Sequence, residues 1–237
     1  MAMVPRLFPA PSLLSDARPA VRQLLQRRWT SRKGGGSSRR YMARQLRDPF
    51  VKRAAAEQYR ARSSFKLAEL ADRYPLIPDG GCVVDCGAAP GGWSQVVARR
   101  MGAGTRLVAV DLLEMQPVPG ADFVQGDFLD PGVRARVLQA IGAQPVGLVL
   151  SDMAPALSGH RSVDSARAMA LCEDVVDFAA DVLAPAGCLV LKFFMGEGDA
   201  KLRHRLRAMF RAVRVEKPAA SRRESAECYL VCLGRAA

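Results

Sequence analysis

From Cys82 onward, short apolar runs alternate with longer stretches whose apolar positions recur every three or four residues. The short runs are Cys82–Asp85, Leu107–Asp111, Asp122–Gln125, Leu148–Ser151, Cys188–Phe194, Val213–Glu216 and Cys228–Leu233. Their length and β-branched content predict buried strands. The longer stretches, Gly92–Arg100, Val133–Ile141, Asp164–Leu183 and Ala200–Phe210, predict helices. Pro185-Ala186-Gly187 should end the third of these before the next strand begins. Strands alternating with helices imply an α/β fold with a mostly parallel, seven-stranded sheet covered on both faces, in the Rossmann-like manner. The last two runs have no helix between them, so they should pair as an antiparallel hairpin at one edge. Upstream, Asp48 to Arg73 reads as helical, with Ala54-Ala55-Ala56-Glu57-Gln58 of high helix propensity and Phe65, Leu67, Leu70 and Ala71 on one stripe. Pro75 and Pro78-Asp79-Gly80-Gly81 break the chain after it.

Charge divides the 237 residues unevenly. Residues 1–62 hold 15 Lys and Arg against 3 acids, which is the whole formal net charge of +12; residues 63–237 hold 20 of each sign. A basic arm ahead of a neutral body suits a polyanionic partner. Residues 1–40 are Arg-rich, Ser-containing and nearly free of acids, with Asp16 alone, the composition of a mitochondrial transit peptide followed by a basic linker at Ser31–Arg40. The expectation is therefore residues 1–40 as targeting and linker sequence, residues 41–237 as one catalytic domain, and a matrix location, with the cytoplasm as the alternative. No apolar run is long enough to span a membrane. Arg44, Arg47, Lys52, Arg53, Arg60 and Arg62 are candidate phosphate contacts, as are Arg161, Arg167, Arg222 and Arg223. Arg203, Arg205 and Arg207 alternate along a helix, so they do not share a face and are expected to be solvated. Six cysteines without a C-x-x-C pair, and only His160 and His204 beside them, argue for buried reduced thiols and against a metal site.

The run ending at Asp85 feeds into Cys86-Gly87-Ala88-Ala89-Pro90-Gly91-Gly92-Trp93-Ser94-Gln95. Small residues let backbone approach a ligand, and the helix that follows offers unpaired N–H groups. The loop lacks the G-x-G-x-x-G of a dinucleotide fold and carries a proline, which disfavours NAD and an oxidoreductase. Asp111 ends the next strand, where it can accept from a ribose diol. Gly126-Asp127-Phe128 follows the third, with Asp127 for an adenine amino group and Phe128 as an apolar wall. Gly87, Ala88, Pro90, Gly91, Gly92, Trp93, Asp111, Asp127 and Phe128 thus suit an adenosine-bearing cofactor, S-adenosylmethionine better than a dinucleotide.

Four further residues carry chemistry: Lys66 in Arg62-Ser63-Ser64-Phe65-Lys66-Leu67, Asp152 in Ser151-Asp152-Met153-Ala154-Pro155, Lys192 at the end of Cys188-Leu189-Val190-Leu191, and Glu227 before Cys228-Tyr229-Leu230. A ribose hydroxyl is a poor nucleophile near neutral pH and needs a base or a positive field. A lysine serves as base only when neutral; burial and a second amine favour that, while carboxylates oppose it. Lys192 is the expected base, Lys66 the group that positions the hydroxyl and stabilises negative charge, Asp152 the partner of Lys192 near the methyl donor, and Glu227 the partner of Lys66. His160 is expected to shape a loop rather than act as the base.

These strings, with Arg47-Asp48-Pro49-Phe50-Val51-Lys52 and Lys217-Pro218-Ala219-Ala220-Ser221-Arg222, resemble the FtsJ (RrmJ) ribosomal RNA 2′-O-methyltransferases from about Leu46 to Arg235. The resemblance is to their mitochondrial members most of all. It implies the class I methyltransferase fold and a catalytic tetrad at Lys66, Asp152, Lys192 and Glu227. It also implies cofactor contacts at Gly91, Trp93, Asp111, Asp127 and Asp152. The implied reaction is 2′-O-methylation of an A-loop uridine in large-subunit rRNA or a pre-ribosomal large subunit. Separately, the chain is expected to be a monomer and to hold no metal. Phe193-Phe194-Met195-Gly196 departs from the Val-Phe-Gln-Gly that many relatives carry after this lysine. A tRNA or mRNA-cap 2′-O-methyltransferase, and a non-catalytic ribosome-assembly factor, are the alternatives.

Overall fold

The computed structural model describes residues 47–156, 158–196, 198–222 and 224–236. The segment 1–40 and Arg44 and Arg223 therefore lie outside the described residues, as does the side chain of Arg161. The chain divides into two units, Met1–Arg62 and Ser63–Ala237.

In the first unit, helix α1 spans Pro49–Ala56. Asp48 caps it, its Oδ1 accepting from Phe50 N at 3.0 Å, and Pro49 occupies the first turn, where no N–H is needed. The helical stretch expected from Asp48 to Arg73 forms two helices. Gln58 adopts φ +59°, and Tyr59 N turns back to Ala54 O at 2.7 Å, which stops the first. Asp48 also pairs with Arg62.

The second unit holds the sheet. In chain order it contains α2 (Ser64–Arg73), β1 (Gly81–Cys86), α3 (Gly92–Arg100), β2 (Thr105–Asp111), β3 (Ala121–Gln125), α4 (Pro131–Ile141) and β4 (Val146–Ser151). Then follow α5 (Arg161–Val182), β5 (Leu183–Phe194), α6 (Asp199–Met209), β6 (Phe210–Glu216) and β7 (Glu227–Arg235). The sheet order is β3-β2-β1-β4-β5-β7-β6. The first five strands are parallel, and β7 runs antiparallel to both β5 and β6. The expected terminal hairpin forms, with β7 inserted between β5 and the edge strand β6.

The break expected at Pro185-Ala186-Gly187 is a bulge rather than a gap. Leu183 already pairs with Val146, the ladder resumes at Cys188 with Leu148, and Ala186 takes φ +63°. Strand β5 can thus leave α5 directly and still come into register with β4.

Alternation decides what each face of the sheet carries. Val84, Cys86, Val108, Val110, Val149, Leu189, Leu191, Phe193, Cys228 and Leu230 form one core with the apolar positions of α4, α5 and α6. The intervening residues of the same strands, Asp85, Lys192 and Tyr229 among them, face the other way, towards α2 and α3. Burial of a strand on both faces is why these strands read as nearly continuous apolar runs. All six cysteines are buried and unpaired, and burial, against the nearby Lys192 charge and with that of Glu173, pushes the Cys172 thiol up to about 12. No helix among the described residues is long and apolar enough to cross a membrane.

Candidate active site

The strand order reverses between β1 and β4, and the loops after those two strands meet there. This is where an open α/β sheet leaves a crevice for a ligand. Gly87, at φ +81°, turns the chain out of β1, and Gly87 N and Ala88 N donate to Val110 O at 2.8 and 3.1 Å. A Cβ at Gly87 would stand 2.2 Å from Met153 Cγ, so the residue after Asp152 seats directly on the glycine. Gly91, at φ +104°, opens α3 and gives its first-turn N–H groups no side-chain cap.

Asp111 ends β2 and ties this loop down. Its carboxylate accepts from Ala89 N at 2.8 Å and from Leu113 N at 2.7 Å, while burial raises its pKa. Asp127 lies past the end of β3, exposed, with Oδ1 accepting from Leu129 N at 3.0 Å. The loop, Asp111 and Asp127 therefore stand at the ends of three neighbouring strands.

The side chains of two of the expected cofactor contacts are buried in the fold. Phe128 points into the core, its ring edge-on to Phe178 at 5.3 Å with the Arg134 guanidinium 4.7 Å from its centroid, so it is not a wall beside Asp127. A large aromatic one residue before a helix-capping turn gains more from burial than from exposure. The apolar side chains that are exposed at these strand ends are Leu112, Leu113 and Leu129, at 64%, 65% and 47%. Trp93 is likewise buried; its Nε1 donates to Ser63 O at 2.9 Å, and only its backbone remains for a ligand. Ala88 packs with Ala109, Met115 and Val118, Gly92 is buried, and Pro90 is exposed at the loop tip.

Asp85 lies under the loop, fully buried. Ser94 Oγ donates to its Oδ2 at 2.6 Å, and Oδ1 has no hydrogen-bond partner among the described residues. Burial, reinforced by Asp152 and Asp111 against the Ser94 hydrogen bond, pushes its pKa up to about 7. An orphaned buried oxygen beside a glycine cradle fits a site for a polar ligand.

Lys66, Asp152, Lys192 and Glu227 converge on the α2/α3 side of the sheet. Lys66 comes from the first turn of α2, where Phe65, Leu67 and Leu70 bury the helix and Ser64 Oγ donates to Gly92 O at 3.1 Å. Its Nζ lies 2.5 Å from Glu227 Oε1. Lys192 is 9% exposed near the end of β5, and its Nζ stands 3.2 Å from Asp152 Oδ1 and also donates to Asp152 O. A water-sized cavity of about 10 Å³, lined mostly by apolar groups including Leu171, Cys172, Leu191 and Phe194, adjoins Lys192.

Two residues that carry no obvious chemistry in the sequence join the four. Tyr229 OH accepts from Lys66 Nζ at 3.0 Å and donates to Asp152 Oδ1 at 2.7 Å. Ser221 Oγ donates to Glu227 Oε1 at 2.9 Å from the loop between β6 and β7. The signal for Tyr229 is its spacing: two residues beyond Glu227 on one strand, it shares Glu227's face. Ser221 has no such signal. That loop is fixed to α2 by Ala219 N donating to Glu69 Oε2 at 2.8 Å, one turn beyond Lys66.

The candidate phosphate contacts divide. Arg203 pairs with Asp199, Arg205 with Glu173 and Asp177, Arg53 with Glu57, and Arg62 with Asp48. Arg47, Lys52, Arg167 and Arg207 are exposed. His160 is exposed in the loop after Asp152, which Asp164 closes by accepting from Ser158 N, Ser158 Oγ and Gly159 N at 2.7, 2.7 and 3.1 Å.

The chain is similar to known ribosomal RNA methyltransferases. A ribosomal RNA large subunit methyltransferase E of Pseudomonas aeruginosa is 47% identical over 198 residues, covering 84% of this chain and 96% of that protein. The Azoarcus protein of the same name is 48% identical over 195 residues, covering 82% and 95%. A crystal structure from Plasmodium falciparum, described as a ribosomal RNA methyltransferase, superposes with a TM-score of 0.67 at 26% identity over 75% of this chain and 98% of that one. The family model described as FtsJ-like methyltransferase matches residues 59–235, a span that takes in the glycine loop, both lysines and both carboxylates, and the chain belongs to that family.

Proposed function

We propose that the protein methylates the ribose 2′-hydroxyl of an A-loop uridine in large-subunit rRNA, using S-adenosylmethionine. The observation that carries this reading is the pair of buried lysines, each held by its own carboxylate, at the mouth of the β1/β4 crevice. The curated relatives, named for the ribosomal RNA large subunit, support the substrate class.

The cofactor would lie against the 87–92 loop, with Asp111 at its ribose and Asp127 at its base. Bound there, it supplies an electrophilic methyl carbon. Asp152 connects the two halves of the site, since it follows β4 beside Gly87 and accepts from Lys192. Lys192, if neutral, can take the ribose proton. Lys66, held by Glu227 and Tyr229, can orient the hydroxyl oxygen and favour its alkoxide character. The residues otherwise act by positioning, which in-line transfer between two bound partners rewards most.

The basic, acid-poor residues 1–40 favour a mitochondrial matrix location. A reporter fused to residues 1–40 should enter mitochondria; a reporter left in the cytosol would remove that part of the reading. For the reaction, labelled methyl groups from S-adenosylmethionine should appear at one A-loop ribose when the protein is given large-subunit rRNA or unmethylated large subunits. Transfer to tRNA or to capped RNA alone would assign a different substrate, and binding without transfer would make the protein an assembly factor.

A further inference from the structure

We propose that Tyr229 is a positioning residue of this site: its phenol joins the Lys66–Glu227 pair to the Lys192–Asp152 pair and holds the Asp152 carboxylate in place for Lys192. The kinetic half of this rests on the methyl-transfer reading above. The structural half does not.

Tyr229 is completely buried on β7, and its register partner across the ladder is Lys192 on β5. Partners in register share a face, so the phenol and the amine point to the same side of the sheet. The hydroxyl lies 3.0 Å from Lys66 Nζ and 2.7 Å from Asp152 Oδ1. An ammonium can only donate and an ionised carboxylate can only accept. The phenol must therefore accept from Lys66 and give its single proton to Asp152. Burial, then the charges of Asp152 and Glu227, hold the phenol well above its ordinary range, so that proton stays on the oxygen through the neutral pH region.

The charged groups around it come from every element packed there. Lys66 approaches from α2, Asp152 from the end of β4, Lys192 from β5 and Glu227 from its own strand. Glu216, its register partner on β6, is turned instead to Tyr74 OH and Arg73. The ring is also placed: Trp93 of α3 stands 5.7 Å away centroid to centroid, and Lys66 Nζ is 5.4 Å from the ring centre. The chain Glu227–Lys66–Tyr229–Asp152–Lys192 is thus continuous, and Tyr229 is the link that joins its two ion pairs.

A packing role needs only the ring, whereas the proposed role needs the oxygen, so Tyr229→Phe separates them. Without the phenol, Asp152 loses a donor and its charge falls more fully on Lys192. The Lys192 ammonium is then held more firmly, and the rate should require a higher pH. The expected result is a single-turnover methyl-transfer rate lowered by about tenfold at neutral pH and partly recovered in alkali, with S-adenosylmethionine affinity by calorimetry unchanged within about twofold. A second measurement needs no substrate: the pH dependence of Lys192 and Lys66 acylation by acetic anhydride, read by mass spectrometry. The Lys192 curve should move to higher pH in the variant.

Unaltered labelling curves for both lysines would overturn the proposal whatever the rate does. So would a variant whose rate and pH profile match the wild type, which is the signature of a ring that only packs. If the wild-type protein methylates no rRNA and the labelling curve still moves, the proposed reaction fails and the coupling of the two lysines by Tyr229 stands.

Discussion

Lys66 and Glu227 are 161 residues apart in the chain and 2.5 Å apart in space. The contact exists because β7 is inserted beside β5, which carries Glu227 to the end of the sheet where α2 begins. Ser221 donates to the same Glu227 oxygen, so the carboxylate is oriented before any substrate arrives. Pre-orientation of this kind is what makes the site rigid enough for its parts to be tested one at a time.

Lys192 should carry the chemical step. Lys192→Ala leaves the apolar packing of β5 in place and removes the amine, and Lys192→Arg keeps a charge that cannot readily be given up. Both variants should bind S-adenosylmethionine normally and transfer methyl groups at least ~100-fold more slowly. Substantial activity in the Arg variant would instead make Lys192 a fixed positive charge, and near-normal rates in both would move the role to Lys66.

Asp111 should hold the cofactor indirectly as well as directly. Its two oxygens accept from Ala89 N and Leu113 N, so Asp111→Ala releases the backbone on both sides of it. Cofactor affinity by calorimetry should fall by about 1–3 kcal/mol. An affinity equal to wild type would show that the carboxylate only shapes the turn.

Gly87→Ala should disable the crevice. The left-handed conformation costs a residue with a Cβ about 1–2 kcal/mol, and the added methyl would meet Met153 at 2.2 Å. Moving Met153 moves its neighbour Asp152. The urea midpoint should drop and cofactor binding should weaken together; retention of both would mean that the loop deforms freely.

Asp85 should make stability depend on pH in an uncommon direction. Its pKa is raised from 3.8 to about 7 on folding, so the folded state holds the proton more tightly than the unfolded one. Stability from this group is fully present below about pH 4, is lost as pH rises from 4 to 7, and changes no further above that. The slope is at most about 1.4 kcal/mol per pH unit. Asp85→Asn should remove it, so the two proteins' stabilities should diverge in favour of the variant as pH rises from 4 to 8. Parallel urea midpoints over that interval would place the titration elsewhere.

Local pattern determined the elements of this protein. Helix α3 runs over Gly92–Arg100 as its periodicity predicts, and β2, β3 and β4 begin no more than two residues before their apolar runs. Helix α4 begins at Pro131, two residues before the expected Val133, because Asp130 caps it and Pro131 suits its first turn. The loop after β1 was legible for the same reason: a turn that needs left-handed backbone needs glycine. Each of these is decided within a few residues, where bonding and sterics are strongest.

Pairing across the chain is what the pattern alone could not decide. Whether Phe128 turns outward beside Asp127 or inward against Phe178 depends on α5, which arrives some fifty residues later. Trp93 spends its N–H on Ser63 because α2 packs beside α3. Tyr229 reads as one more apolar position in a strand until β7 comes into register with β5 and sets it opposite Lys192. The sequence determined that two lysines and two carboxylates were available at element ends. The tertiary structure decided which of their oxygens and nitrogens meet, because hydrogen-bond geometry is set by register and packing and not by order along the chain.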